Sequence, residues 1–163
     1  MKTKNYSNMK SAFLLVIMLI SLSSYSYATC SKSNQKWSSG YGQGILEFNI
    51  TNAQGSKLIV SCDIGFSETG EMSSVALEFG EGKSYTPEHS KVNIVINSTT
   101  HELPTNLEDK INYNKWNNFI LSLQHANYFS VYVNGTLEGE FSPDVNNSPE
   151  FVKQANKCLL ENK

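Results

Sequence analysis

Apolar and polar positions alternate through most of the chain beyond residue 44, and this alternation predicts β-strands. In one stretch Leu58, Val60 and Cys62 fall on the same face of a strand, so Cys62 is expected to point into the core. Asn134-Gly135 lies between two alternating stretches and predicts a two-residue hairpin turn. The predicted strands are a short one near Trp37, then 45–50, 57–62, 73–79, 91–97, 129–133 and 136–141.

Two later stretches have helical spacing instead. The first predicts an amphipathic helix over about 115–126, capped by Asn112 or Asn114, with apolar residues at Trp116, Phe119, Ile120, Leu123 and Ala126. The second begins at Ser148 and has Pro149 at its first helical position. Its apolar stripe comprises Phe151, Val152, Ala155, Cys158 and Leu159. The pattern predicts an α+β fold, a mainly antiparallel β-sandwich-like domain with one internal and one C-terminal helix.

The N-terminus has the organisation of a secretion signal. Lys2, Lys4 and Lys10 precede the apolar run 12–20, and small residues around Ala28 offer a cleavage site. The nine-residue run is too short to cross a bilayer, since a spanning helix takes ~20 apolar residues. We therefore predict a signal peptide over 1–28, a single β-rich globular domain over 29–163, and a periplasmic or secreted protein without a permanent membrane span. A lipoprotein is the alternative, because Cys30 lies just past the cut.

Charge restricts the classes of partner. Removal of residues 1–28 leaves ten lysines against fifteen acidic residues, a net charge of −5, and the chain contains no arginine. Nucleic acids and anionic membranes select basic surfaces, so neither is expected as the main partner. A basic protein partner is compatible with this charge.

Three cysteines remain in the predicted mature chain, and an oxidising compartment favours a disulfide between two of them. Cys62 and Cys158 both occupy core-facing positions, which predicts a bond between them, with Cys30 left over. A bond between Cys30 and Cys158, joining the two ends of the domain, is the competing prediction. The cysteines lack C-x-x-C spacing and the three histidines stand apart, so no metal or other cofactor is expected.

Candidate catalytic groups are sparse. The pairs Asp63/Glu68 and Glu78/Glu81 flank loops, and paired carboxylates perform glycoside hydrolysis where they converge in a cleft. His101 and His125 are candidate bases, but the sequence has no nucleophile motif to accompany them. No catalytic residue is therefore assigned. An exposed platform for sugar or peptide is a further candidate, formed by the aromatic residues Trp37, Tyr41, Tyr85, Tyr113 and Tyr128.

The order of several segments resembles a known group of proteins. These segments are the Leu58–Cys62 strand, the Val92–Ile96 strand, Trp116-x-x-Phe-x-x-x-Leu running into Ala126, the Phe129–Phe141 hairpin and a last helix bearing Cys158. Over residues 57–158 this order resembles small bacterial periplasmic proteins of the invasion-associated locus B type and accessory proteins of type VI secretion loci. The resemblance implies a twisted β-sandwich closed by a helix and a late cysteine. It implies no catalytic residues.

The sequence thus favours an exported, non-enzymatic binding or accessory protein that acts through a protein–protein surface, in a secretion or effector–immunity setting. Two alternatives belong to other classes. One is a hydrolase that cleaves glycans with an Asp/Glu pair, and the other is an adhesin or surface structural subunit that uses an unpaired sheet edge.

Overall fold

The computed structural model describes residues 35–67, 71–144 and 149–160, all within one unit spanning Lys32–Lys163. Two antiparallel sheets and two α-helices make up this part of the chain, which is an α+β, mainly β fold as the alternation predicts. The signal peptide, Cys30 and Glu68 lie outside the described residues, so the predictions about them stay predictions.

The first sheet is a meander in which each strand pairs with the next along the chain. Its spatial order is β1-β2-β3-β4-β5. The strands are β1 (Ser38–Gly42), β2 (Ile45–Thr51), β3 (Lys57–Asp63), β4 (Ser74–Phe79) and β5 (Lys83–Tyr85). The β1–β2 turn approaches the loop after β3 so closely that a Cβ on Gly44 would lie 2.5 Å from the backbone nitrogen of Phe66. Glycine is therefore required at this turn, where φ is also +81°.

The second sheet has the order β7-β6-β8-β9. Its strands are β6 (Val92–Ile96), β7 (Thr99–Glu102), β8 (Phe129–Val133) and β9 (Thr136–Phe141). Asn134 and Gly135 both have positive φ at the β8–β9 turn, as the Asn-Gly prediction requires. A register shift between Val131 and Tyr132 marks an irregularity in the β8–β9 ladder.

The inner faces of both sheets contribute to one core. Facing positions such as Phe48 and Val60, paired across β2 and β3, are fully buried. The sheets approach closely at Gly139 of β9, where a Cβ would lie 3.1 Å from a ring carbon of Phe79 on β4. The Asn52 side chain donates to the Glu140 carbonyl oxygen at 3.1 Å and joins the same two sheets. The apolar residues of the alternating pattern therefore form the interior of a sandwich between the two sheets.

Helix α1 (Lys110–Gln124) connects the second and third strands of the second sheet in chain order. Its buried side chains are Trp116, Phe119, Ile120, Leu123 and Gln124. The first four match the predicted stripe, but the helix begins about five residues earlier than predicted. Asp109, not Asn112 or Asn114, is the N-cap, and its carboxylate accepts from the Asn112 N–H at 2.8 Å. The first turn has few buried side chains, so apolar spacing gives no signal for it.

The C-terminal segment, Phe151–Leu160, closes one end of the core. It contains the end of helix α2 (Pro149–Gln154) and a 3₁₀ turn (Ala155–Cys158). Phe151 stacks on Trp37 with ring centroids 4.2 Å apart. Ser148, the predicted start of this helix, lies outside the described residues.

The disulfide joins Cys62 of β3 to Cys158, with the two Cα atoms 5.0 Å apart. This is the pair that the core-facing positions predict, and Cys158 is therefore not available to Cys30. The bond closes a loop across a sequence separation of 96 residues, so it ties the C-terminal segment to the first sheet.

The alternation missed two short strands, β5 and β7. Both lie at sheet edges and are mostly exposed, so they lack the apolar half of the pattern. The turn between β6 and β7 uses Asn97 and Ser98 at positive φ, a less recognisable pair than Asn-Gly.

Candidate binding cleft

A cleft of about 400 Å³ opens beside β4. One wall is the stretch 71–76, which enters and forms the first half of β4, and a second is the turn 86–88 after β5. The loop 103–108, which joins β7 to helix α1, supplies the third wall, and Trp116 of α1 completes the lining. We call this space the acidic cleft, for the charges described below.

The loop 103–108 is held in place at several points. Leu103 and Leu107 are buried, and the Leu103 N–H donates to the Val92 carbonyl oxygen at 3.0 Å. The side chain of Asn112 donates to the Asn106 side-chain oxygen at 3.0 Å, which joins the loop to the first turn of α1. Because these contacts are already present, the wall is formed without a ligand.

Trp116 is 2% exposed and its indole N–H donates to the Cys158 carbonyl oxygen at 2.8 Å. A buried indole needs such an acceptor, and this one fixes the orientation of the ring. Trp116, Leu103 and Leu107 are therefore a buried, apolar part of the lining, in which the Trp116 ring is oriented by this hydrogen bond.

The charged residues that line the cleft all carry the same sign. They are Glu71, Glu88 and Glu108, which are exposed, and the described lining includes no lysine or histidine. At neutral pH three carboxylates around a partly apolar space favour cationic groups and disfavour anionic ones. The arrangement can therefore select a basic ligand with some apolar surface.

Thr86 lies at the point where β5 leaves the sheet. Its carbonyl oxygen accepts from the backbone N–H groups of His89 and Ser90, both at 3.1 Å, so the chain turns away from β4. Pro87 follows and has no N–H to offer a strand partner. The Thr86 hydroxyl is buried and has no hydrogen-bond partner among the described residues.

The candidate catalytic carboxylates do not line this cleft. Asp63 is 7% exposed, and its carboxylate accepts from the backbone N–H groups of Gly65, Phe66 and Ser67 and from the Ser67 hydroxyl. Burial raises the pKa of Asp63, but these hydrogen bonds outweigh burial and lower the pKa overall. Asp63 therefore fixes the conformation of its own loop.

Glu78 is exposed on β4, opposite Lys57 on one side and Ser84 on the other. The suggested catalytic partner of Asp63 is Glu68, which lies outside the described part of the chain. The suggested partner of Glu78 is Glu81, whose side chain is likewise not described. Neither proposed pair is thus seen converging in the cleft, and the hydrolase alternative stays an untested prediction.

The two candidate histidines differ in environment. His125 caps the C-terminal end of α1 and is exposed. His101 is half-buried on β7 beside Phe119, with ring centroids 6.5 Å apart, and burial lowers its pKa. Its Nε2 atom has no partner among the described residues. Neither histidine lines the acidic cleft.

The five aromatic residues do not form a common platform. Trp37 is buried against Phe151, while Tyr85 and Tyr113 pack against the core from a strand edge and from helix α1. Tyr41 and Tyr128 are 70% and 43% exposed, but Tyr41 lies on β1 of the first sheet and Tyr128 directly precedes β8 of the second. The Tyr128 hydroxyl donates to the Glu140 carboxylate, which raises the pKa of Tyr128.

Sequence reasoning missed the acidic cleft. Its glutamates are widely spaced in the chain and belong to three different segments, so no local motif connects them. Only the packing of the loop 103–108 beside β4 brings them together.

Within the described residues no helix has both the length and the apolarity to cross a membrane.

The YfjT family model matches residues 35–151, most of the described domain. The chain belongs to the YfjT family. It is 29% identical to "Uncharacterized protein YfjT" of Escherichia coli (strain K12) over 125 residues, which cover 75% of this chain and 81% of that protein. It is 28% identical to "Uncharacterized protein YkfB" of the same strain, with the same coverage. No solved structure matches the chain.

Proposed function

We propose that this YfjT-family chain is an exported, non-enzymatic binding protein whose acidic cleft receives a basic segment of another protein. The observation that carries the proposal is the lining of the cleft, where three glutamates surround buried apolar side chains without a basic residue among the described lining. The net charge of the predicted mature chain favours the same class of partner at long range.

Export is supported by two features that lie far apart in the chain. The N-terminal residues have the pattern of a cleaved signal, and Cys62 forms a disulfide with Cys158. Disulfides of this structural kind persist in oxidising compartments. A periplasmic or secreted location accounts for both features, and a role in secretion or in an effector–immunity pair is the setting that the resemblance over 57–158 implies.

The test is calorimetric titration of the predicted mature protein with a set of peptides of about seven residues, a common strand length. In half of the set lysine or arginine alternates with valine, threonine or tyrosine, and in the other half glutamate replaces the basic residue. We expect saturable binding of basic peptides that weakens as salt is raised, because the attraction is screened.

The deciding variant is Glu71→Gln/Glu88→Gln/Glu108→Gln. Its matched control, Glu47→Gln/Glu78→Gln/Glu138→Gln, changes the net charge equally but alters glutamates outside the cleft. We expect the cleft variant to lose about tenfold in affinity, as for ~1.4 kcal/mol of lost attraction, and the control to lose far less. Equal losses in the two variants, or equal binding of acidic peptides, would overturn the proposal.

A further inference from the structure

We infer that the basic segment binds as an added β-strand along the outer edge of β4, at Ser74–Ala76. This inference rests on the proposed function and specifies how the acidic cleft holds its ligand: through the main chain of an extended peptide, with side chains supplying the selectivity.

The register of the first sheet leaves this edge available. On one side of β4, Ser74, Val75 and Ala76 pair with Ser61, Val60 and Ile59 of β3. On the other side β5 pairs only with residues 77–79, and its last pair is Leu77 with Tyr85. Among the described strands none continues this ladder past Ser74–Ala76.

The missing part of the ladder coincides with the cleft. The consecutive residues 71–76 all line it, as expected of a strand that presents its edge rather than one face. Alternate N–H and C=O groups of an antiparallel strand point away from its partner, so some of those in Ser74–Ala76 point away from β3. A strand edge of this kind is a template for another chain.

The fold itself prevents β5 from filling this space. The hydrogen bonds from His89 and Ser90 to the Thr86 carbonyl oxygen reverse the chain, and Pro87 cannot donate to β4. The opposite wall, 103–108, is fixed by its buried leucines and so keeps the space open. The groove is thus bounded on two sides before any ligand enters.

An extended peptide also fits the chemistry of the lining. Its successive side chains point to opposite faces, so basic residues at every second position can lie near Glu71, Glu88 or Glu108. The apolar residues between them can contact Met72, which also lines the cleft and is 56% exposed. Main-chain hydrogen bonds then provide affinity that is independent of side-chain identity, and the glutamates exclude acidic sequences.

N-methylation of the peptide tests the inference. Starting from the tightest basic peptide of the set above, each backbone amide is methylated in turn, which removes one donor and adds bulk at one position. Strand addition requires that only alternate amides face β4. We expect methylation at every second position to weaken binding about tenfold or more, and methylation between them to be tolerated.

Hydrogen exchange of the protein gives an independent readout. On addition of the same peptide, we expect slower amide exchange within Ser74–Ala76, because at least one amide there gains an acceptor. The matched region is the opposite edge strand, β1, where exchange should not change.

The outcomes separate the two proposals. Binding that depends on the cleft glutamates but weakens equally at all methylated positions overturns strand addition and leaves the proposed function standing. An alternating pattern that the glutamine variant does not affect overturns selection by charge and leaves strand addition standing. Absence of binding by every basic peptide overturns both.

Discussion

The C-terminal segment and the acidic cleft both contact Trp116, but they differ in how their backbone polar groups are paired. The segment's groups have hydrogen-bond partners, whereas part of the strand edge in the cleft has none among the described strands. In the segment, the Cys158 carbonyl oxygen accepts from the indole N–H, and the Leu160 backbone makes two hydrogen bonds with the Asn117 side chain. In the cleft, the edge of β4 continues past Leu77 without a partner strand among the described residues.

The difference separates stability from binding. A buried group with its partner in place contributes to the folded state, whereas a strand edge without a neighbouring strand is open to pairing with another chain. The C-terminal segment thus contributes to stability, whereas the cleft offers an unpaired strand edge to the proposed ligand. Substitutions in the two regions should therefore affect different measurements.

The largest effect is expected from removing the disulfide. The variant Cys62→Ala/Cys158→Ala reopens a loop across 96 residues, and the chain-entropy model gives ~4.7 kcal/mol for a loop near that length. We expect the free energy of unfolding, measured by urea denaturation, to fall by up to about that amount. Cys30→Ala is the matched control and should leave it unchanged. Comparable losses in both variants would contradict the assigned pairing.

A smaller loss is expected from Asn117→Ala. The Asn117 side chain donates to the Leu160 carbonyl oxygen at 2.9 Å and accepts from the Leu160 N–H at 2.8 Å, so the variant detaches the end of the C-terminal segment from α1. We expect a loss of about 1–2 kcal/mol in the same denaturation experiment. Asn118 is exposed, and Asn118→Ala should cost less than ~0.5 kcal/mol. If the two alanine variants were equally stable, the segment would not be a structural closure.

His101 predicts a dependence of stability on pH. Burial lowers the pKa of His101 from its ordinary value of 6.5, so the folded state binds the proton less readily than the unfolded state. The stabilisation is present above pH 6.5 and is lost as pH falls from there through the lower folded-state pKa. In His101→Gln this part of the pH profile should flatten, whereas the exposed-site control His89→Gln should retain it. A steeper profile in His101→Gln would contradict the prediction that protonation of His101 destabilises the folded state.

The smallest effect on stability is expected in the cleft. Glu71, Glu88 and Glu108 are exposed and carry the same charge, so each replacement by glutamine should change the free energy of unfolding by less than ~0.5 kcal/mol. Affinity for basic peptides should nevertheless fall as described for the triple variant. Marked destabilisation without loss of binding would show that these carboxylates serve the fold and not a ligand.

The local spacing of apolar residues predicted many of the strands and helices of the fold. Period-two alternation identified β2, β3, β4, β6, β8 and β9, and the helical stripe identified the buried face of α1. Apart from β9, which follows the Asn134-Gly135 turn and buries only Phe141, these elements are recognisable because one face of each is buried, and burial imposes a period on the sequence. The core-facing positions of Cys62 and Cys158 were predictable for the same reason, although their proximity needed the C-terminal segment to pack on β3.

By itself, the sequence determined the strands and helices with a buried face, the charge of the chain and the core-facing positions of Cys62 and Cys158, because each of these depends on local spacing or on composition. Tertiary structure alone decided the short edge strands β5 and β7, which of the two candidate cysteine pairs forms, the role of Asp63 and the existence of the acidic cleft. The strands β5 and β7 lack an apolar face, and the cleft joins residues that are distant in the chain. The Asp63 carboxylate accepts hydrogen bonds from the loop that follows it, which no spacing in the sequence indicates. Such features arise from how the elements pack, and no local period in the sequence records them.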